Sequence, residues 1–140
     1  MLGHPGKKLL FMGQDFGQFH EWDEKAALDW YLTDEPQNAG LQSYVKDLLQ
    51  LYRKYPALYE LDYDWDGFQW INANDGDRSI FSFVRYSRDH KRSLLFVINF
   101  TPVERPDYRV GVPKRGPIPW CWITATASIN AATKRLHSVR

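Results

Sequence analysis

Cysteine is almost missing from this chain, neither sign of charge is in excess, and no long apolar run occurs. Cys121 is the single cysteine among 140 residues, so an intrachain disulfide and a cysteine-based metal cluster are both excluded. That usage fits a reducing, cytoplasmic setting. Lys and Arg number 18 against 17 Asp and Glu. Such a balance lacks the basic footprint of a nucleic-acid binder or of a protein drawn to an anionic membrane, so neither is expected as a partner. The apolar run at residues 9–12 falls far short of the roughly 20 residues needed to cross a bilayer. Residues 1–6 lack the apolar core of a secretory signal. Asn99-Phe100-Thr101 matches the glycosylation triplet, but without a secretory route it reads as accidental. His4 and His20 have no partner at metal-ligand spacing. Asp62, Asp64 and Asp66 alternate, yet lack the glycine and closing Glu of an EF-hand loop and read as a solvated turn. No metal and no cofactor is expected.

What the chain has in quantity is aromatic side chains, 16% of the residues, with Trp 6 and Tyr 8. Most such rings belong in a core, where they bury large areas. Rings on exposed loops can instead stack on the apolar C–H face of a sugar, and Trp22 and Trp30 are the best placed for that.

Three stretches differ in period. Residues 9–12, Leu-Leu-Phe-Met, are continuously apolar, as in a strand buried on both faces, and Gly13 lets the chain turn at its end. Residues 14–37 carry few periodic apolar groups and read as a long functional loop. Asn38 is a plausible helix N-cap. Beyond it Leu41, Val45, Leu48, Leu49 and Tyr52 repeat at helical spacing, Arg53 and Lys54 suit the C-terminal dipole, and Pro56 ends the pattern. This helix should lie against the strand before it. A strand followed by a helix is one unit of a barrel or of an open parallel sheet.

From Tyr63 the period changes to two. Strands are expected at 68–71, 80–86, 93–100 and 108–112, with Asn74-Asp75-Gly76 as a hairpin turn and residues 88–91 as a second polar turn. Short turns between four such strands make an antiparallel β domain or part of one. Residues 117–140 lose the pattern and read as poorly ordered.

The blocks His4-Pro5-Gly6-Lys7-Lys8-Leu9-Leu10-Phe11-Met12-Gly13 and Gln14-Asp15-Phe16-Gly17-Gln18 are followed by Glu21-Trp22 and Leu28-Asp29-Trp30. Then come Leu51-Tyr52-Arg53-Lys54, Pro56-Ala57-Leu58, Glu60-Leu61-Asp62 and Gly67-Phe68-Gln69-Trp70. Asn99-Phe100-Thr101-Pro102-Val103 and Tyr108-Arg109-Val110-Gly111-Val112-Pro113 close the series. In order and spacing, over about the first 115 residues, this resembles the bacterial 1,4-alpha-glucan (glycogen) branching enzymes of the alpha-amylase superfamily. The resemblance implies an α/β plus all-β fold. Residues 1–62 would be the last strand, loop and helix of a (β/α)8 catalytic barrel. Residues 63–116 would be part of an antiparallel C-terminal β-sandwich.

The same resemblance implies a retaining two-carboxylate mechanism, with the 6-hydroxyl of another glucan unit as acceptor and α-1,6 branches as product. The family's nucleophile, acid/base and third Asp lie in motifs upstream of the last barrel strand, and those motifs do not occur here. The chain thus carries no catalytic residue and is expected to be inactive alone. What it would supply is a substrate-facing rim: Gln14 and Asp15 at the strand's end, where the family usually has Glu in place of Asp15, and Trp22 and Trp30 as an acceptor-side platform. The implied partner is an α-glucan of the glycogen or amylose type.

After the Gly-Val-Pro segment the resemblance stops. Trp120-Cys121-Trp122-Ile123 stands where the family continues with Val-Leu-(Asn/Asp). The codons of those residues, read from the third base of the Trp120 codon, give Val-Leu-Asp. Residues 117–140 therefore read as a frame-shifted tail, the slip falling between about Lys114 and Pro119. Two rivals remain at this stage. One is a stand-alone carbohydrate-binding β module using exposed rings among Trp65, Phe68 and Trp70. The other is a different alpha-amylase-superfamily enzyme, such as a trehalose-releasing hydrolase, against which the Glu-Trp and Leu-Asp-Trp pairs argue.

Overall fold

Alternation and helical spacing both find their elements in the structure, a computed structural model that describes residues 1–114 and Ile118. The helix α1 spans Pro36–Lys54. Pro36 opens it at a position where a missing N–H costs nothing, and Arg53 and Lys54 occupy its last turn. Three strands follow, β1 at Phe68–Asp75, β2 at Ile80–Tyr86 and β3 at Ser93–Asn99. They form one sheet in the order β1-β2-β3. The β1–β2 connection is a single 3₁₀ turn, Gly76–Arg78, too short for a parallel crossover, so the pair is antiparallel.

The chain divides into two compact units, Met1–Phe68 with Arg85–Leu94, and Gln69–Val84 with Leu95–Arg140. The first has its core in Phe16, Leu32, Ala57, Leu58 and Leu61, each no more than 5% exposed. In the second, Ile80, Phe83 and Val84 are buried. There Phe83 stacks on Phe96 of β3 with ring centroids 4.7 Å apart and meets the edge of Trp70 of β1 at 5.7 Å. This ladder of rings across all three strands is the cross-strand contact that β-rich, aromatic sequences use to fix register.

Four expectations change. Residues 9–12 form no strand among the described residues. Leu9, Leu10, Phe11 and Met12 are 40–69% exposed. A parallel strand needs neighbouring strands to pair with, and the described sheet is confined to β1, β2 and β3. With no strand there, α1 is not packed on one; it meets the 3₁₀ turns Trp30–Asp34 and Pro56–Leu58. Its apolar face is only half covered, and Leu49 is 40% exposed. Residues 108–112 also form no strand. They run beside β1, where Gly111 abuts Ile71, and Tyr108 donates its hydroxyl to Asp75 Oδ2 at 2.9 Å. The last change is Asn38, which lies inside the first turn of α1 while Glu35 takes the N-cap position. The tail expected to be frame-shifted, Cys121 included, lies outside the described residues apart from Ile118.

Candidate functional site

The loop that the sequence singles out is held open by polar side chains acting as struts. Gly13 and Gly17 adopt φ of +77° and +71°, a region that residues with a Cβ avoid. A Cβ on Gly13 would lie 2.7 Å from Gln18 Cβ, and one on Gly17 would lie 2.9 Å from Leu41 of α1. Between them the Gln18 N–H donates to Gly13 O at 3.0 Å. The Asn38 side chain, buried in the first turn of α1, donates to Phe16 O at 2.7 Å and Gly17 O at 3.3 Å. Being placed within the helix is what lets it reach back and clamp the loop. Gln18 then braces the far side: its amide nitrogen donates to His20 O at 3.0 Å and its oxygen accepts from the Asp29 N–H at 2.9 Å. His20 Nδ1 and Asp29 Oδ2 are 2.7 Å apart.

On this frame sit the four residues expected to face a ligand. Gln14 turns back on its own loop, its Oε1 accepting from the Phe11 N–H at 3.0 Å. Trp22 packs edge-on against the same Phe11, centroids 5.6 Å apart, and remains 43% exposed. Trp30 leans on the buried Phe16 at 5.2 Å and is 56% exposed. Asp15 is half-buried and has no hydrogen-bonding partner among the described residues. Gln14 and Trp22 thus converge on Phe11, while Trp30 belongs to a separate contact with Phe16. Phe19 and Tyr31, 79% and 62% exposed, add to the open aromatic surface of this loop and were not singled out from the sequence.

A second constellation went unread. Arg85 on β2 is fully buried and sends its guanidinium to Gly67 O (3.2 Å), Gly3 O (3.1 Å), Leu58 O (3.3 Å) and Asp62 Oδ1 (2.6 Å). The other oxygen of Asp62 accepts from Lys8 Nζ at 3.1 Å and from the Tyr52 hydroxyl at 3.0 Å. Burial pushes the Asp62 carboxyl up, but hydrogen bonds from Arg85, Lys8 and Tyr52 outweigh it and hold the group below its ordinary value. Burial, with Asp62 beside it, raises the Tyr52 phenol. Asp62 is therefore the anchor of a buried ion pair and not part of a solvated turn. Asp64 and Asp66 are exposed as expected, and among the described residues no group of three or more His, Cys, Asp or Glu is arranged to hold a metal ion. This cluster has the donors and acceptors of a structural clamp, each oxygen of the carboxylate being spoken for.

The sequence that builds this sheet and loop has counterparts among known proteins. Residues 70–138 match the family described as Alpha amylase, C-terminal all-beta domain. That gives the class of this part of the chain, a C-terminal all-β domain of the alpha-amylase type, with residues 1–69 lying before it. Over 116 residues the chain is 59% identical to the 1,4-alpha-glucan branching enzyme GlgB of Butyrivibrio fibrisolvens, 83% of this chain against 18% of that protein. It is 53% identical to the enzyme of the same name from Aquifex aeolicus and 52% to that from Aromatoleum aromaticum, with the same coverages. The chain is homologous to part of the 1,4-alpha-glucan branching enzymes, and it spans less than a fifth of the length of these relatives.

Proposed function

We propose that this chain is the end of the catalytic barrel and the start of the C-terminal all-β domain of a branching enzyme. The intact enzyme would transfer a segment of α-1,4-glucan to a 6-hydroxyl of another glucan unit in the cytoplasm, as a step in glycogen biosynthesis. The observation that carries this reading is the 59% identity over 116 residues. It is supported by the aromatic loop of residues 13–31, whose exposed rings and braced backbone suit an extended sugar chain. In this reading residues 9–12 would become the last barrel strand in the intact enzyme, where the rest of the barrel supplies the ladder partners. Gln14, Asp15, Trp22 and Trp30 line the acceptor side. The two carboxylates of the retaining mechanism lie outside this chain, so it is inactive by itself.

The test is a hybrid enzyme. The matching 116-residue segment of the Butyrivibrio fibrisolvens enzyme is replaced by that of this chain, and branching of amylose is followed by the fall in iodine staining. The hybrid should branch, and the isolated chain should not. Trp22→Ala with Trp30→Ala in the hybrid should lower kcat/KM about tenfold or more, the loss of two stacking contacts. A hybrid that folds but does not branch refutes the reading.

A further inference from the structure

We propose that Gln18 is a positioning residue that fixes the spacing of Trp22 and Trp30, and thereby sets the balance between glucan transfer and hydrolysis. This inference rests on the branching reading above. The Gln18 side chain reaches across a neck in the loop. Its amide nitrogen donates to His20 O at 3.0 Å, and its oxygen accepts from the Asp29 N–H at 2.9 Å. The neck is shut a second time by His20 Nδ1 and Asp29 Oδ2, 2.7 Å apart. Residues 20–29 are thus an excursion with joined ends, the form of a compact functional loop. Trp22 follows one side of the neck and Trp30 the other, so one side chain ties together the segments that carry both rings.

The strut is itself held at its base. The Gln18 N–H donates to Gly13 O at 3.0 Å. The side chain then passes over Gly13, where an added Cβ would lie 2.7 Å from Gln18 Cβ and 3.0 Å from its Oε1. Only glycine leaves that path open. A primary amide offers a donor and an acceptor at once, as the neck requires, whereas a carboxylate only accepts and a thioether does so weakly. Each ring has its own support, Trp22 on Phe11 and Trp30 on Phe16. Their separation is therefore set by the backbone between them, which Gln18 cross-links.

That separation bears on which acceptor wins. In the retaining mechanism the glycosyl–carboxylate bond breaks as an incoming oxygen bonds to the anomeric carbon, and the proton of that oxygen passes to the acid/base carboxylate. A glucan 6-hydroxyl gives a branch, and water gives a new reducing end. Water arrives unaided, but a 6-hydroxyl attacks only from a chain held in the right orientation. Splaying the neck therefore slows transfer more than hydrolysis.

The test is the hybrid enzyme described above, unaltered and carrying Gln18→Met or Gln18→Glu. Reducing ends formed from amylose count hydrolysis, and those then released by a debranching enzyme count branches. The ratio of hydrolysis to branching should rise about tenfold in Gln18→Met, a scale on which misplacing a reactant acts. It should rise less in Gln18→Glu, which still accepts from the Asp29 N–H. His20 is exposed and Asp29 half-buried, so water can take the place of the amide and the thermal melt should fall little. An unchanged ratio, with both products falling together, overturns the proposal. The 140-residue chain supplies a second readout when labelled with fluorotryptophan. Its Trp22 and Trp30 fluorine signals, assigned through Trp22→Phe and Trp30→Phe, should both shift in Gln18→Met; signals that stay in place overturn the proposal as well. An unaltered hybrid that folds but does not branch refutes the branching reading, while the fluorine signals still decide whether Gln18 positions the rings.

Discussion

Replacing Asp62 by asparagine leaves a fully buried guanidinium facing a neutral amide. Arg85 has no exposed side-chain surface and the Asp62 side chain is 9% exposed, so water cannot stand in for the lost charge. Breaking a buried pair by removing one partner costs about 3–5 kcal/mol. The amide oxygen of the substituted side chain can still accept from Arg85, and three backbone carbonyls remain on the guanidinium. The expected loss therefore falls at the lower end, about 3 kcal/mol. Arg85→Met should also destabilise, because those carbonyls lose their donor. The double variant should lose less than the two single losses added, by about 1 kcal/mol or more, since the residues are in direct contact. Urea denaturation measures all four proteins, and the comparison holds where the slope of the transition is unchanged.

The pH dependence follows from the lowered Asp62 carboxyl. A carboxyl depressed in the folded state adds stability that is fully present above its unfolded value, near the ordinary 3.8. That stability fades as pH falls through the folded value. The gap between parent and Asp62→Asn should therefore be constant at neutral pH and close only below about pH 3.8. A loss under about 1 kcal/mol at pH 7, or additive single losses, would refute the clamp.

Two further substitutions probe packing. Gly67→Ala drives a methyl group into the Leu61 carbonyl oxygen, where backbone has to move, and about 1–3 kcal/mol should be lost by urea denaturation; a neutral result would mean that the two residues are not in that contact. Phe83→Ala removes the middle ring between Trp70 and Phe96 and should cost about 3–5 kcal/mol, with near-ultraviolet circular dichroism reporting the lost ring packing.

The parts of the fold legible in the sequence are those set by local period. Leu41, Val45, Leu48 and Tyr52 on one side, with Pro56 beyond, are enough to place α1, and alternation between two turn signals places β1 and β2. The antiparallel sheet agrees with the all-β family match. Residues 9–12 show the limit of that logic. Four apolar residues state a need for burial, but whether they pair depends on strands that period cannot supply. Asn38 and Asp62 were misread for a different reason: each has a side chain whose partners lie far along the chain, Phe16 for one and Arg85 for the other. A signal for the clamp was nonetheless available. Arg85 is a single charge within the apolar alternation of β2, and a charge in a central strand calls for a buried acceptor. The exposed aromatic loop was legible in Trp22 and Trp30, while Phe19 and Tyr31 carry no pattern that separates them from core rings.

The geometry of Arg85 also bears on the order in which this chain takes shape as it is made. Its guanidinium gathers carbonyls from residues 3, 58 and 67, so three stretches synthesised earlier wait for a donor that arrives last. Gly3 waits through 82 residues of elongation. Contacts of such long sequence separation form slowly, because loop entropy is spent before they give anything back. Until β2 has left the ribosome, the segment around Gly3 lacks this donor, and the Gly6 N–H on Asp62 O with Lys8 on the Asp62 carboxylate are earlier ties that hold it near residue 62.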